Sequence, residues 1–295
     1  MFTFPVSGVE TYWWLPALVA FLISFFTSMG GLSGAFLLLP FQVSILGFIT
    51  PAVTPTNLVY NIFAIPGGVY RYIREKRIVW PLVIIIILGI TPGLIFGAYL
   101  RVKYLADPRN FKLFVGLVLL YVVVRLIKDV RAKENGYKNN DNFRVNILHY
   151  NIKNIEFEFN DNTYNTPSGL IFLLTLFVGV ISGAYGIGGG AIIAPFLVAV
   201  LGLPVYAIAG VTLFGTFFSS VAGVIIYSYL LPLVSPDISA IKPDWLLGLS
   251  FGIGGFAGIY LGARFQRYFP SRFIKAVLAV SLAIVVIKYV GGFFL

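Results

Sequence analysis

The chain has 295 residues, 59% of them hydrophobic and only 11% charged. A soluble globular domain is roughly 45–50% apolar and about 25% charged, so this composition excludes one and specifies a polytopic integral membrane protein. The formal charge of +10 falls in short basic groups between apolar runs, where it sets topology rather than binding nucleic acid, and the absence of cysteine with a single histidine, His149, excludes disulfides, thiolate catalysis and a Cys/His metal site.

The N-terminal stretch MFTFPVSGVETYWW has no basic region and no small-residue cleavage site before the first apolar run, so it does not read as a cleaved signal peptide. Apolar runs then follow at 12–28, 32–48, 52–70, 80–100 and 110–127, and, after a polar stretch, at 168–185, 189–203, 206–231, 245–263 and 272–294. A helix needs about 20 residues to cross the hydrocarbon core. The runs at 32–48 and 189–203 are short and joined to their predecessors by glycines, the pattern of glycine-broken or re-entrant half-helices.

A shift of 155 residues brings Gly31 onto Gly186, Gly34 onto Gly189, Pro40 onto Pro195 and Gly68-Val69 onto Gly223-Val224. After a ten-residue insertion, a shift of 165 brings Trp80 onto Trp245 and Gly89, Gly93 and Gly97 onto Gly254, Gly258 and Gly262. The chain therefore reads as two transmembrane repeats, 1–128 and 167–295, around a polar linker at 129–166. If each repeat crosses the membrane an odd number of times, one side holds fifteen basic residues and the other six. An even number gives a weaker split of 13 to 8. The positive-inside rule thus favours inverted repeats in the cell membrane, with the linker cytoplasmic and both termini outside. The expected fold is all-α, with about 8–10 membrane segments. The linker is Asn-rich and reads as solvated chain, with a small hairpin suggested by the partial alternation in FRVNILHY and IEFEF.

Two kinds of glycine pattern stand out. Gly89/Gly93/Gly97 and Gly254/Gly258/Gly262 are tandem GxxxG stripes, which let helices approach closely. The stretch GAYGIGGGAIIAP, from Gly183 to Pro195, puts five glycines into the eight residues 183–190 without that period. It is not a Rossmann loop, because no acidic residue follows within the segment and the context is transmembrane. Consecutive glycines unwind a helix and free backbone N–H groups, which lipid does not tolerate unless they line a cavity. The half-helix that follows aims its positive N-terminal end there, and such ends bind anions. The first-half counterpart is Ser28-Met-Gly-Gly-Leu-Ser-Gly34. Two facing half-helix ends form a transporter-type anion site.

The candidate substrate-binding set is therefore Gly30, Gly31, Ser33 and Gly34 in the first half and Tyr185, Gly186, Gly188, Gly189 and Gly190 in the second. Side-chain donors join them: Asn57 and Asn61, four apart on one helix face, and Thr212 and Thr216 on the aligned face, with Ser219 following. All eleven acidic residues lie at run ends or in polar segments, so an anionic substrate fits better than a cationic one. No catalytic residue, metal or cofactor is expected.

The GIGGG cluster followed by an apolar run and Pro195, its degenerate copy GGLSG, the Leu-Gly pairs and the duplication together resemble the TauE/SafE sulfite exporter family, also called the toluene sulfonate uptake permease family. The resemblance covers the chain apart from 129–166, and Ser33 and Ala35 stand where the second copy has Gly188 and Gly190. It implies secondary transport of a small sulfur-containing anion of the sulfite, sulfonate or sulfoacetate class. An anion channel, or a transporter of another small anionic metabolite, remains the alternative. Expected partners are the anion, the lipid bilayer and a coupled proton or sodium ion, with no nucleic acid. The protein is expected to be a monomer or homodimer.

Overall fold

The computed structural model describes residues 1–29, 32–131, 145–151, 153–159, 162–199, 201–233, 241–265 and 271–294. A two-stranded pairing of β1 (Phe2–Thr3) with β2 (Glu10–Thr11) leads through the exposed Tyr12, Trp13 and Trp14 into α1 (Leu15–Met29). Aromatic residues favour that position, where a helix meets the membrane–water interface. There follow α2 (Ala35–Ser44), α3 (Val53–Ala64), α4 (Pro66–Arg74), α5 (Trp80–Lys103) and α6 (Pro108–Arg131). The second half holds α7 (Ser168–Tyr185), α8 (Gly190–Ala199), α9 (Val205–Ile225), α10 (Trp245–Phe265) and α11 (Ser271–Val286). A π-helical turn, Ile226–Leu230, prolongs α9, and another, Ile287–Gly291, prolongs α11 before the short α12 (Gly292–Phe294).

The protein is mostly helical, and each apolar run of the sequence carries a helix. Among the described residues, four segments are long and apolar enough to cross a membrane: Trp80–Lys103, Ser168–Tyr185, Ala207–Leu233 and Trp245–Gly262. α2 and α8 have ten residues each, about 15 Å of helix, or half the hydrocarbon thickness. The run at 52–70 is not one helix. It is interrupted at Ile65, which itself keeps helical backbone at φ −83° and ψ −29°, because Pro66 has no N–H to continue the hydrogen-bond ladder and suits the first position of a new helix. The aligned second-half run has no proline there and continues as α9.

The linker carries the strands that the alternation in FRVNILHY and IEFEF suggested, and one more: an antiparallel sheet in the order β3 (Val145–Tyr150), β4 (Asn154–Phe159), β5 (Asn162–Pro167). Ile155, Phe157 and Phe159 alternate inward on β4, and this period of two decides the register. The sheet lies against the start of the second half. β5 runs straight into α7, Ser168 N–H donates to Lys153 O at 2.8 Å, and Tyr150 and Ile155 share a cleft with Ile84 and Phe172.

The long helices interlock across the halves: α5 packs along α7, and α10 along α1. The glycine stripes make this possible. A Cβ on Gly89, Gly93 or Gly97 would lie 2.0–2.8 Å from Phe172 O, Leu176 O or Val180 O of α7. A Cβ on Gly254, Gly258 or Gly262 would lie 1.8–2.4 Å from Ala17 O, Phe21 O or Phe25 O of α1. These carbonyls are 155 positions apart in sequence, so the two stripes meet their partner helices in the same register. α3 packs on both α9 and α10, which places the polar faces of α3 and α9 at the centre.

Candidate functional site

The glycine loop begins where α7 ends. Gly186 has φ +83° and caps the helix, its N–H donating to Ser182 O at 2.7 Å. Gly188 and Gly189 also have left-handed backbone, φ +76° and +78°. Any side chain is strained there, which is why the chain places glycines in sequence rather than at helical intervals. The whole loop, Ser182–Gly190, is buried. The N–H groups of Ile187, Gly188 and Gly189 have no hydrogen-bond acceptor among the described residues. Buried N–H groups are nearly always paired, so three in a row are an exception within this loop.

The two helix breaks meet. One amide nitrogen, Asn57 Nδ2, donates to Ala35 O at 3.0 Å, at the start of α2, and to Gly186 O at 2.9 Å, in the loop before α8. Tyr185 adds a second bridge, its hydroxyl donating to Phe36 O at 2.8 Å. Asn57 is thus committed to holding the two breaks together, with its Oδ1 accepting from Gln42 Nε2 at 3.2 Å. Asn61, one turn on, donates to Ile187 O at 3.5 Å, and its Oδ1 has no partner among the described residues.

From α9, Thr216 Oγ1 accepts from Gly190 N–H at 3.1 Å while donating to Thr212 O at 2.8 Å, and Ser219 Oγ donates to Gly188 O at 2.8 Å. Thr212 does not offer its hydroxyl to the loop: it bonds back to Ile208 O and Ala209 O of its own helix. A buried Thr in a helix has that acceptor always at hand. In the first half, Gly30 and Gly31 lie outside the described residues. Ser33 is buried, and Gly34 N–H donates to Tyr60 OH at 3.1 Å, with Tyr60 bonded to Ser24 Oγ at 2.8 Å. Here a tyrosine hydroxyl occupies the space above the glycine, 2.7 Å from where its Cβ would sit.

Three further buried polar residues, Gln42, Arg101 and Asp244, are absent from the candidate set. Gln42 is a large polar residue within an apolar run that otherwise holds only serines as polar residues. Arg101, a basic residue just past an apolar run, is fully buried, its Nε donating to Thr54 Oγ1 at 3.2 Å and its Cζ 3.6 Å from the centre of the Phe111 ring. Its signal was its spacing, four residues beyond Gly97 on the packing stripe. Asp244 lies at a run end as expected but is also fully buried, capping α10 by accepting Leu247 N–H at 3.0 Å and holding Val6 N–H, Ser7 N–H and Ser7 Oγ at 3.2, 2.9 and 2.8 Å.

The sulfite exporter TauE/SafE family model matches residues 16–289. The chain belongs to the TauE/SafE sulfite exporter family. Two relatives from Bacillus subtilis (strain 168) are similar to it along most of their length. The probable membrane transporter protein YunE is 24% identical over 271 residues, 88% of this chain and 90% of the relative. The probable membrane transporter protein YdhB is 24% identical over 267 residues, 90% of this chain and 96% of the relative. No solved structure matches. As a TauE/SafE protein the chain is a multi-pass membrane transporter, and the glycine loop, the paired helix breaks and the interlocked long helices are features of that transporter.

Proposed function

We propose that this TauE/SafE protein is a secondary transporter carrying a small sulfur-containing oxyanion, of the sulfite, sulfonate or sulfoacetate class, across the cytoplasmic membrane. The observation that carries this reading is the run of unpaired N–H groups at Ile187, Gly188 and Gly189, buried where the two helix breaks meet. Backbone donors at the start of a half-helix suit an oxyanion, and no buried carboxylate among the described residues lies on the loop to repel it.

In this reading the repeats are inverted, and α2 and α8 are half-helices entering from opposite sides. The arrangement in which Asn57 and Tyr185 tie the breaks together is, in this reading, one end state of alternating access. The two half-chains rock about the central loop, and breaking these bridges opens it. The sheet-bearing linker faces the cytoplasm and both termini lie outside. Thr163→Cys in this cysteine-free chain therefore stays unlabelled by an impermeant thiol reagent added to intact cells. The substrate class is tested by uptake of labelled sulfite, taurine and sulfate into proteoliposomes with and without a proton gradient. Saturable, gradient-dependent sulfite or sulfonate flux is expected. Flux that rises linearly with concentration and ignores the gradient would favour a channel.

A further inference from the structure

Arg101 ends the α5 stripe of Gly89, Gly93 and Gly97 and lies against the broken end of α7. Its guanidinium is fully buried, and no carboxylate pairs with it among the described residues. A buried cation without a counter-charge is costly, and in membrane proteins such a group marks a substrate or ion path. Its partners are all neutral oxygens: Thr54 Oγ1 from Nε at 3.2 Å, Leu105 O from Nη1 and Thr50 O from Nη2 at 3.5 Å. A guanidinium has five N–H donors, so two have no acceptor among the described residues.

Thr54 connects this charge to the glycine loop. Its hydroxyl accepts from Arg101 and donates to Ala184 O at 3.2 Å, and its carbonyl oxygen would lie 2.6 Å from a Cβ on Gly186. The arrangement is not a requirement of a broken helix as such. At the shifts that align the two halves, Ala209 stands in the place of Thr54 and Gln266 in the place of Arg101. The break after α1 is therefore built without either.

We propose that Arg101 is the charge-bearing subsite of the anion path, on the side of the glycine loop where α5 ends. The oxygens of the anion take the unused N–H groups of the guanidinium fork, whose planar geometry matches two oxygens of one oxyanion. The loop N–H groups bind the anion at the centre, and Arg101 supplies the full positive charge that they lack. This rests on the transporter reading above. It further claims that charge, and not only shape, is needed at position 101.

Arg101→Cys in the otherwise cysteine-free full-length protein tests it, with labelled sulfite uptake into proteoliposomes as the readout. Uptake is expected to fall about 30-fold or more, as for loss of one partner of a buried charge pair. 2-Aminoethyl methanethiosulfonate, which attaches an ammonium, should restore uptake, and the uncharged methyl methanethiosulfonate should not. Undiminished uptake by Arg101→Cys, or equal rescue by both reagents, overturns the proposal while leaving sulfite transport by the unmodified protein intact. If the unmodified protein moves neither sulfite nor taurine, the transporter reading falls and this subsite with it. Should Arg101→Cys not fold, Arg101→Lys decides: a raised KM for sulfite supports the bidentate subsite, and an unchanged KM overturns it.

Discussion

Gly93 and Gly258 lie inside long helices, where a Cβ would sit 2.3 Å from Leu176 O and 2.4 Å from Phe21 O. Gly188 and Gly189 lie outside any helix at φ +76° and +78°. A Cβ on Gly188 would meet side chains, Thr216 Cγ2 at 2.5 Å and Asn61 Nδ2 at 3.1 Å, and one on Gly189 only ordinary apolar contacts at 3.4–3.6 Å. The first pair is glycine because another backbone is too close, the second because the backbone itself turns the wrong way. In a membrane the first condition joins helices, and the second breaks one. The same residue type thus closes a helix contact in one region and turns the backbone in the other.

The largest effect expected from breaking this distinction belongs to the stripe. Gly258→Leu should push α10 off α1 and cost about 3 kcal/mol or more, seen as a fall in melting temperature and loss of a monodisperse gel-filtration peak. A normal melt would show that the α1–α10 contact tolerates separation.

Asn57→Leu comes next, because Asn57 belongs to both regions. It leaves Ala35 O and Gly186 O buried without their donor, a loss of about 1–3 kcal/mol, and it unties the helix breaks. Both melting temperature and sulfite uptake should fall. Lost uptake with unchanged melting would mean that Asn57 serves the substrate and not the bridge.

Gly188→Ala should cost about 1–2 kcal/mol from left-handed strain, with the clash at Thr216 added, and should reduce sulfite uptake more than stability. Gly189→Ala carries the same strain without the clash, so its melting temperature should lie nearer the parent protein's. Equal losses in the two would show that backbone conformation alone sets the requirement at the loop.

Much of this was legible in the chain. Hydropathy located every long helix, because lipid demands apolar runs whatever the neighbours are. The repeat predicted which registers would be equivalent, and Gly89/Gly93/Gly97 announced a close helix contact through their spacing alone. The loop glycines were legible as a break because consecutive glycines have no helical use. The members of the site that act at a distance were less visible. Asn57 read as a cavity-facing donor, but which acceptors it would reach depended on Ala35 and Gly186 being brought to its two sides from elements 22 and 129 positions away.

Composition and periodicity thus determined that this chain crosses a membrane and where its helices break, since each of these follows from local solvation or local backbone freedom. Only tertiary packing decided that Thr212 turns back on its own helix while Thr216 holds the loop, and that the linker forms three strands over the start of α7. It also decided that Arg101, on paper one more basic residue after an apolar run, is buried beside Thr54 and Phe111. Burial and pairing of a polar side chain are set by what arrives from elsewhere in the chain, and hydropathy along a single segment carries no record of it.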